Sequence, residues 1–210
     1  YEMMVDIHDE YRPTGFSRTY PNLMTQEGIR GNEEMPDATH NTILPFTRFL
    51  AGAADYTLCY FNGRVKNTKA HQLAMAAVYY SPLQFMFWYD RPEFYKGEEE
   101  LEFWKAIPSV WDDSRALDGE IGEYIIQARR SGNDWFVGAM TNTEARTVTV
   151  MTDFLEPGKK YTAHLYEDDD KLNTGTKVRT AHKKVKAGDK LILKLKASGG
   201  AALHFTPIEK

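Results

Sequence analysis

The chain has 210 residues, which is enough for one large domain or two small ones. Hydrophobic residues make up 42% and charged residues 27%, a composition that argues against a disordered chain. The net charge of −4 gives no basis for binding nucleic acid or an anionic membrane. The single cysteine, Cys59, excludes an intramolecular disulfide and a multi-cysteine metal site. No apolar run approaches the roughly 20 residues that a membrane helix needs.

The first eight residues predict a strand that is already in progress. They contain no charged segment followed by an apolar one, so no signal peptide is predicted. A chain that begins inside a strand is expected to be a piece of a longer protein. Targeting signals therefore give no information about where the protein resides.

Residues 1–110 alternate short apolar strands with helical stretches. The predicted strands are 3–7, 55–60 and 83–88, and the predicted helices are 42–50, 68–80 and 98–107. The middle helix is rich in alanine, and Thr68 suits its N-cap. Alternation of this kind predicts βαβ units and a parallel sheet.

The second half has a different pattern, with strands separated by turn residues and hardly any helical periodicity. The predicted strands are 122–130, 135–140, 147–151, 161–166, 191–195 and 201–205. Strands at spacings of roughly 8–12 residues predict an antiparallel β-sandwich. The fold class is therefore α/β followed by all-β, with one domain at 1–110 and a second at 111–210.

The densest polar cluster lies between residues 8 and 34 and begins directly after the first predicted strand. Its members are His8, Asp9, Glu10, Arg12, Arg18, Tyr20, Glu27, Arg30, Glu33 and Glu34. Several carboxylates together suit a calcium site or the acid and base of glycoside hydrolysis. A solvated loop that is simply rich in acids is the alternative.

The residues within this cluster form specific strings. Residues 12–23 read Arg-Pro-Thr-Gly-Phe-Ser-Arg-Thr-Tyr-Pro-Asn-Leu, and residues 27–33 read Glu-Gly-Ile-Arg-Gly-Asn-Glu. Together with the strand that ends in His8-Asp9, they resemble glycoside hydrolase family 97, which contains calcium-dependent α-glucosidases and α-galactosidases. The resemblance continues through residues 42–48, 55–57, 80–84, 111–115 and 122–125, and so covers most of the chain.

The resemblance implies a long parent enzyme with an N-terminal β-sandwich, a central (β/α)8 barrel and a C-terminal β domain. Residues 1–110 then correspond to the C-terminal part of the catalytic barrel, and 111–210 to the C-terminal β-sandwich. The missing N-terminal part of the same enzyme is the implied partner, and an oligosaccharide is the implied substrate. A periplasmic or secreted location is implied by the family.

The resemblance also implies roles for four residues. Glu33 matches the general acid, or acid/base, and Glu27 matches a calcium ligand, with Glu33 as a further contact of the ion. Asp9 falls where the inverting branch carries a glutamate that is both base and calcium ligand. His8 matches a contact to a sugar hydroxyl.

Asp9 departs from the inverting pattern because aspartate is one methylene shorter than glutamate. We therefore interpret Asp9 as a calcium or site ligand in a retaining-type enzyme, whose nucleophile lies on an earlier barrel strand outside this chain. An inverting member with a shortened base is the alternative for Asp9. The predicted function is hydrolysis of terminal α-galactosides or α-glucosides by an exo-acting enzyme, and the chain alone is expected to be inactive. A non-catalytic carbohydrate-binding or structural module with a partial barrel is the alternative function.

Other notable residues have simpler interpretations. His40 and His71 are predicted to be packing or surface residues, and Cys59 a small buried hydrophobe. Trp88 and Trp111 are predicted to lie in the core, with stacking on sugar as the alternative. The solvent-facing segments are predicted to be the acidic turn 168–170 and the lysine-rich stretch 183–186.

Overall fold

The computed structural model describes residues 2–8 and 12–208. The first half contains strands β1 and β2, four α-helices and several short 3-10 turns. The strands are β1 Val5–Ile7 and β2 Leu23–Gln26, and the helices are α1 Phe16–Thr19, α2 Ala38–Ile43, α3 Lys69–Val78 and α4 Glu102–Ala106. The 3-10 turns are Asn32–Glu34, Leu44–Phe46, Arg48–Ala51, Pro92–Phe94 and Glu99–Leu101. Within the described ranges, no helix is long and apolar enough to cross a membrane.

The second half is built from antiparallel strands. They are β3 Asp113–Glu120, β4 Tyr124–Ser131, β5 Asp134–Thr141, β6 Arg146–Met151, β7 Lys160–Asp168, β8 Val178–Lys186, β9 Lys190–Leu195 and β10 Gly200–Pro207. Six of them form one sheet in the order β3-β4-β5-β10-β7-β8, and β6 pairs separately with β9. Inward side chains of the β6–β9 pair share an apolar cluster with the six-stranded sheet. The prediction of an antiparallel all-β second half is confirmed.

The strands of the first half pair in parallel, as the alternating pattern predicts. β1 pairs with β2, and Leu58 forms an isolated parallel bridge with Met86. The assignment of residues 1–110 to part of a (β/α)8 barrel stays a prediction, as does the domain boundary near residue 110. One apolar cluster crosses that boundary, since Leu73 and Phe103 belong to the same cluster as Phe136.

The predicted strands 55–60 and 83–88 are wrong in extent, because only the Leu58–Met86 bridge forms there. Side-chain carboxylates replace strand partners along both segments. Asp55 accepts the backbone N–H of Phe85 at 3.0 Å, and Asp90 accepts that of Phe61 at 2.9 Å. These long-range bonds use backbone N–H groups that a regular strand ladder would otherwise take.

The predicted helix 42–50 is also wrong in its bounds. Helix α2 begins earlier, because Asp37 caps it by accepting the N–H of His40 at 2.9 Å. It ends at Ile43, and the chain continues in 3-10 turns around Pro45. Proline has no N–H for the helical ladder and its ring clashes with the preceding turn.

Helix α3 confirms the strongest helix prediction and packs between the two halves. Thr68 caps it by accepting the N–H of His71 at 3.2 Å. The helix lies directly on the sheet at two glycines. A Cβ on Gly138 would lie 2.4 Å from the carbonyl oxygen of Ala74, and one on Gly200 would lie 2.6 Å from the Cα of His71. These glycines therefore permit the close contact between helix and sheet.

Asp168 links the start of α3 to the sheet, so its predicted place in a solvated turn is wrong. Thr68 Oγ1 donates to Asp168 Oδ2 at 2.7 Å, and the N–H of Gly200 donates to the same oxygen at 3.2 Å. Burial raises the pKa of Asp168 from 3.8 to about 6, although these hydrogen bonds hold it down in part. The folded chain therefore binds this proton more tightly than the unfolded chain does.

This carboxyl predicts a pH dependence of stability. Because its pKa is higher in the folded state, its contribution is present below about pH 4 and is lost as pH rises through about 6. Between about pH 4 and pH 6, the unfolding free energy of the wild type should therefore fall with rising pH because Asp168 ionises. In the Asp168→Asn variant, we expect this fall to be smaller by roughly 2 kcal/mol. Denaturant unfolding at several pH values measures the difference. Asp169→Asn is the control, and an unchanged pH slope in Asp168→Asn would contradict the assignment.

Candidate active site

Three candidate site residues lie at the same end of the parallel strand pair. His8 directly follows β1, and Glu27 directly follows β2. The register pairs Ile7 with Gln26, so His8 and Glu27 leave the two strands side by side. Glu33 follows in the 3-10 turn Asn32–Glu34. The ends of parallel strands thus bring together residues that are separated in sequence.

The imidazole of His8 lies between the two carboxylates. Its Nδ1 is 3.5 Å from Glu27 Oε2, and its Nε2 is 3.4 Å from Glu33 Oε2. The Glu27 side chain is 9% exposed, whereas those of His8 and Glu33 are each 32% exposed. The cluster therefore opens to solvent on the side of Glu33.

Trp88 completes this cluster, and its predicted place in the core is wrong. Its indole Nε1 donates a hydrogen bond to Glu33 Oε1 at 2.8 Å. Its ring packs against His8, with ring centroids 5.1 Å apart, and against Phe85 at 5.3 Å. The tryptophan thus holds one oxygen of Glu33 and leaves the other directed at His8. The signal available in the sequence was the position of Trp88 at the end of the predicted strand 83–88, comparable to that of His8 just after the predicted strand 3–7.

The charge of His8 responds to this environment. Burial lowers the pKa of His8, but the neighbouring carboxylates of Glu27 and Glu33 raise it by more, so the net shift is upward. The protonated imidazole is therefore favoured and supplies a positive charge between two acids. This arrangement compensates carboxylates that would otherwise repel each other.

Two further carboxyls, Asp6 and Asp55, lie behind His8 and were missed by the sequence interpretation. Both come within 4.8 Å of His8 and of each other, counted between potential ligand atoms. Burial raises the pKa of Asp55 from 3.8 to about 6, with Asp6 adding to the effect and the N–H groups of Thr57 and Phe85 opposing it. Burial also raises the pKa of Asp6, against the charge of His8.

The turn that carries Glu33 is hydrogen-bonded to the segment around Tyr56 and to helix α3. The N–H of Asn32 donates to the carbonyl of Tyr56 at 3.0 Å, and Asn32 Nδ2 donates to Gln72 Oε1 at 2.9 Å. A Cβ on Gly31 would lie 2.6 Å from the carbonyl oxygen of Tyr56. Glycine at this position therefore lets the turn approach the neighbouring segment closely enough to make these bonds.

Arg48 anchors the loop that carries Glu27. Its guanidinium donates to the carbonyl oxygens of Gln26, Glu27 and Gly28 at 3.0, 3.2 and 2.9 Å. Arg30 pairs instead with Glu34, at 2.7 Å on the surface. The arginine that supports the site is thus Arg48 and not the nearer one in sequence.

The remaining predicted residues are placed as follows. Asp9 lies outside the described residues, so its role as a calcium or site ligand stays a prediction. His71 is buried, its Nδ1 lies 3.0 Å from the carbonyl oxygen of Gly199, and burial lowers its pKa to about 4. The packing role predicted for His71 is therefore confirmed, as is the burial predicted for Cys59.

The ligand atoms of this cluster supply part of what a hard cation such as calcium requires. Oxygens of Glu27 and Glu33 lie within 4.8 Å of each other and of a nitrogen of His8. Calcium takes six to eight oxygens at irregular angles, and two carboxylates are a partial set of that kind. Imidazole nitrogen is not a preferred calcium ligand, so His8 fits a place beside an ion better than a place on it.

Carboxylates that meet at the ends of parallel strands are the kind of acid/base site that glycoside hydrolases use. The family model described as glycoside hydrolase 97 matches residues 1–29, and the model described as glycosyl-hydrolase 97 C-terminal, oligomerisation, matches residues 110–206. This chain belongs to glycoside hydrolase family 97 and corresponds to its C-terminal part.

The chain spans about a third of the length of the first curated relative that it matches. It is 34% identical to a retaining alpha-galactosidase of Bacteroides thetaiotaomicron over 98% of this chain and 34% of that protein. It is also 34% identical to a probable retaining alpha-galactosidase of Streptomyces bingchenggensis, over 71% of this chain and 24% of that protein.

Two solved structures share the fold. A family 97 enzyme of Pseudoalteromonas sp. strain K8, in complex with acarbose, matches with a TM-score of 0.87 and 37% identity over 97% of this chain and 35% of that one. A beta-arabinopyranosidase matches with a TM-score of 0.78 and 26% identity, over 91% of this chain and 32% of that one.

Proposed function

We propose that this chain supplies the acid/base side of the active site in a calcium-dependent, exo-acting α-glycosidase of the retaining type. The observation that carries the proposal is the placement of Glu33, which is held by Trp88 and faces His8 and Glu27. Terminal α-galactosides are the favoured substrates, because the two curated relatives described above are named as a retaining alpha-galactosidase and a probable retaining alpha-galactosidase. Terminal α-glucosides are the second substrate class.

Glu33 is the proposed acid/base. The N–H of Trp88 occupies Oε1, so Oε2 is the oxygen that delivers a proton to the glycosidic oxygen. In the second step the same oxygen takes a proton from the attacking water, as retaining hydrolysis requires. The nucleophile of this reaction is expected outside this chain.

Glu27 and Glu33, with Asp9, are the proposed ligands of calcium. When bound, the ion would supply positive charge beside the substrate and would balance the clustered acids. His8 lies directly between the two glutamates, where its imidazole is also placed to contact a sugar hydroxyl. Arg48 holds the Glu27 loop by its backbone and leaves the carboxylate of Glu27 to the cluster.

Three proposals concern the whole protein. The C-terminal sheet is proposed to contribute to oligomer contacts, in line with the description of the matching family model. A periplasmic or secreted location is proposed from family membership. The missing N-terminal part of the enzyme is the partner that completes the active site.

The proposal predicts that the 210-residue chain alone does not hydrolyse an aryl α-galactoside, whereas the complete protein does. The reason is that the nucleophile belongs to the missing part. Release of the phenol, followed by absorbance, measures both proteins in calcium buffer. Turnover by the chain alone would contradict the placement of the nucleophile. A complete protein that hydrolyses neither aryl α-galactosides nor aryl α-glucosides would overturn the proposed activity.

A further inference from the structure

Three of the six histidines in the chain lie side by side across the six-stranded sheet. The register pairs His204 on β10 with His164 on β7, and His164 with His182 on β8. Residues that lie directly opposite each other on antiparallel strands project from the same face. This histidine row, His204–His164–His182, is therefore set by the pairing of three strands.

The rings of the row are close together, and the row is open to water at its His182 end. The centroids of His164 and His182 are 4.6 Å apart with the rings at 87°, and those of His164 and His204 are 5.8 Å apart. His182 is exposed on the edge strand β8, and the other two are half-buried. An ion can thus reach the row from solvent.

Nitrogen lone pairs are available in all three rings. Asp134 Oδ2 lies 2.8 Å from His204 Nε2, so this nitrogen carries the proton and Nδ1 is left as the acceptor. His164 Nε2 lies 3.4 Å from Thr206 Oγ1, which leaves its Nδ1 without a hydrogen bond in the described part of the chain. The His182 side chain makes no hydrogen bond to any described residue.

We propose that the histidine row binds a divalent transition-metal ion such as Zn²⁺, Ni²⁺ or Cu²⁺. Imidazole nitrogen is a preferred ligand of these ions, and a carboxylate on the far nitrogen of a ligating histidine is the usual supporting contact. Asp134 provides that contact to His204. The three rings do not bring one nitrogen each to within 4.8 Å of the others, so binding requires the exposed His182 to rotate toward His164 while Asp134 holds His204 in place.

A bound ion would join the edge strand β8 to β7 and β10. The site is distinct from the Glu27–Glu33 cluster, which offers oxygens suited to calcium.

Isothermal titration of the 210-residue chain with Zn²⁺ and Ni²⁺ tests the proposal. The titrations use a His8→Ala background, because His8 and its carboxylates form the other histidine-containing cluster. We expect one ion per chain, and no competition from millimolar Ca²⁺. Adding His182→Ala or His164→Ala is expected to weaken binding at least tenfold, and Asp134→Asn to weaken it about 10- to 100-fold.

His182→Ala is the decisive variant, because this exposed residue can change without disturbing the core. His40→Ala, which removes a histidine of α2, is the matched control and is expected to leave the affinity unchanged. Circular dichroism confirms that each variant is folded. Absence of Zn²⁺ and Ni²⁺ binding in the His8→Ala chain, or binding that His164→Ala and His182→Ala leave unchanged, would overturn the proposal.

Discussion

Replacing Glu33 with glutamine in the complete enzyme is expected to lower kcat/KM for a natural α-galactoside disaccharide by roughly 10²- to 10⁴-fold. Glutamine keeps the size of the side chain and can still accept the hydrogen bond from Trp88, which lies 2.8 Å from the glutamate oxygen. It has no proton to give to a sugar leaving group. The loss therefore reports a change at the Glu33 carboxyl, as proton donor or calcium contact, and not a disturbed fold.

Comparison of substrates makes this test specific. An aryl α-galactoside with an acidic phenol needs little protonation of its leaving group, so Glu33→Gln should impair its first step much less. Glu34→Gln is the matched control, because Glu34 is the adjacent acid and pairs with Arg30 at the surface. Wild-type rates of Glu33→Gln on natural disaccharides would show that Glu33 is not the acid.

Millimolar calcium is expected to raise the melting temperature of the 210-residue chain relative to chelator, and Glu27→Ala should abolish the rise. Glu27 is buried beside His8 and its oxygens lie within 4.8 Å of those of Glu33. At a calcium concentration of 100 times Kd, binding adds about 2.7 kcal/mol to the unfolding free energy. For a chain of this size, that corresponds to roughly 5–10 °C.

Thermal melts of wild type, Glu27→Ala and Glu34→Ala, each with calcium and with chelator, measure this effect. Glu34→Ala removes an exposed acid from the same turn and should keep the calcium response. Identical melting of the wild type in calcium and in chelator would contradict calcium binding by the glutamates of this chain alone. A response that survives Glu27→Ala would contradict the assignment of this ligand.

The strands of the β-sandwich were predictable wherever one face is buried. In β6 and β9, buried and exposed positions alternate, and that alternation is visible in the sequence. The edge strands β3 and β8 were missed, because most of their residues are exposed and about half carry charge. An edge strand contributes little to the core, so its sequence shows little apolar periodicity.

The first half was harder to predict because side chains take the place of the strand ladder. Asp55 and Asp90 accept backbone N–H groups that a regular strand would use, and Pro45 divides the predicted helix 42–50. Nothing in the local pattern shows which distant N–H a carboxylate will meet. Helix α3 was predictable because its residues have high helix propensity and its N-cap is local.

The candidate site also contains residues that could be predicted from the sequence and residues that only the tertiary structure brings to it. His8, Glu27 and Glu33 stand at strand ends or within specific strings, so family resemblance and chain order were enough to select them. Trp88 is 55 residues from Glu33 along the chain, and Asp55 is 47 residues from His8, so their contacts arise only when the parallel segments come together. Residue type and local order therefore identified the acids and the class of chemistry that they suit. Long-range pairing of segments placed Trp88, Asp6 and Asp55 beside them and formed the histidine row.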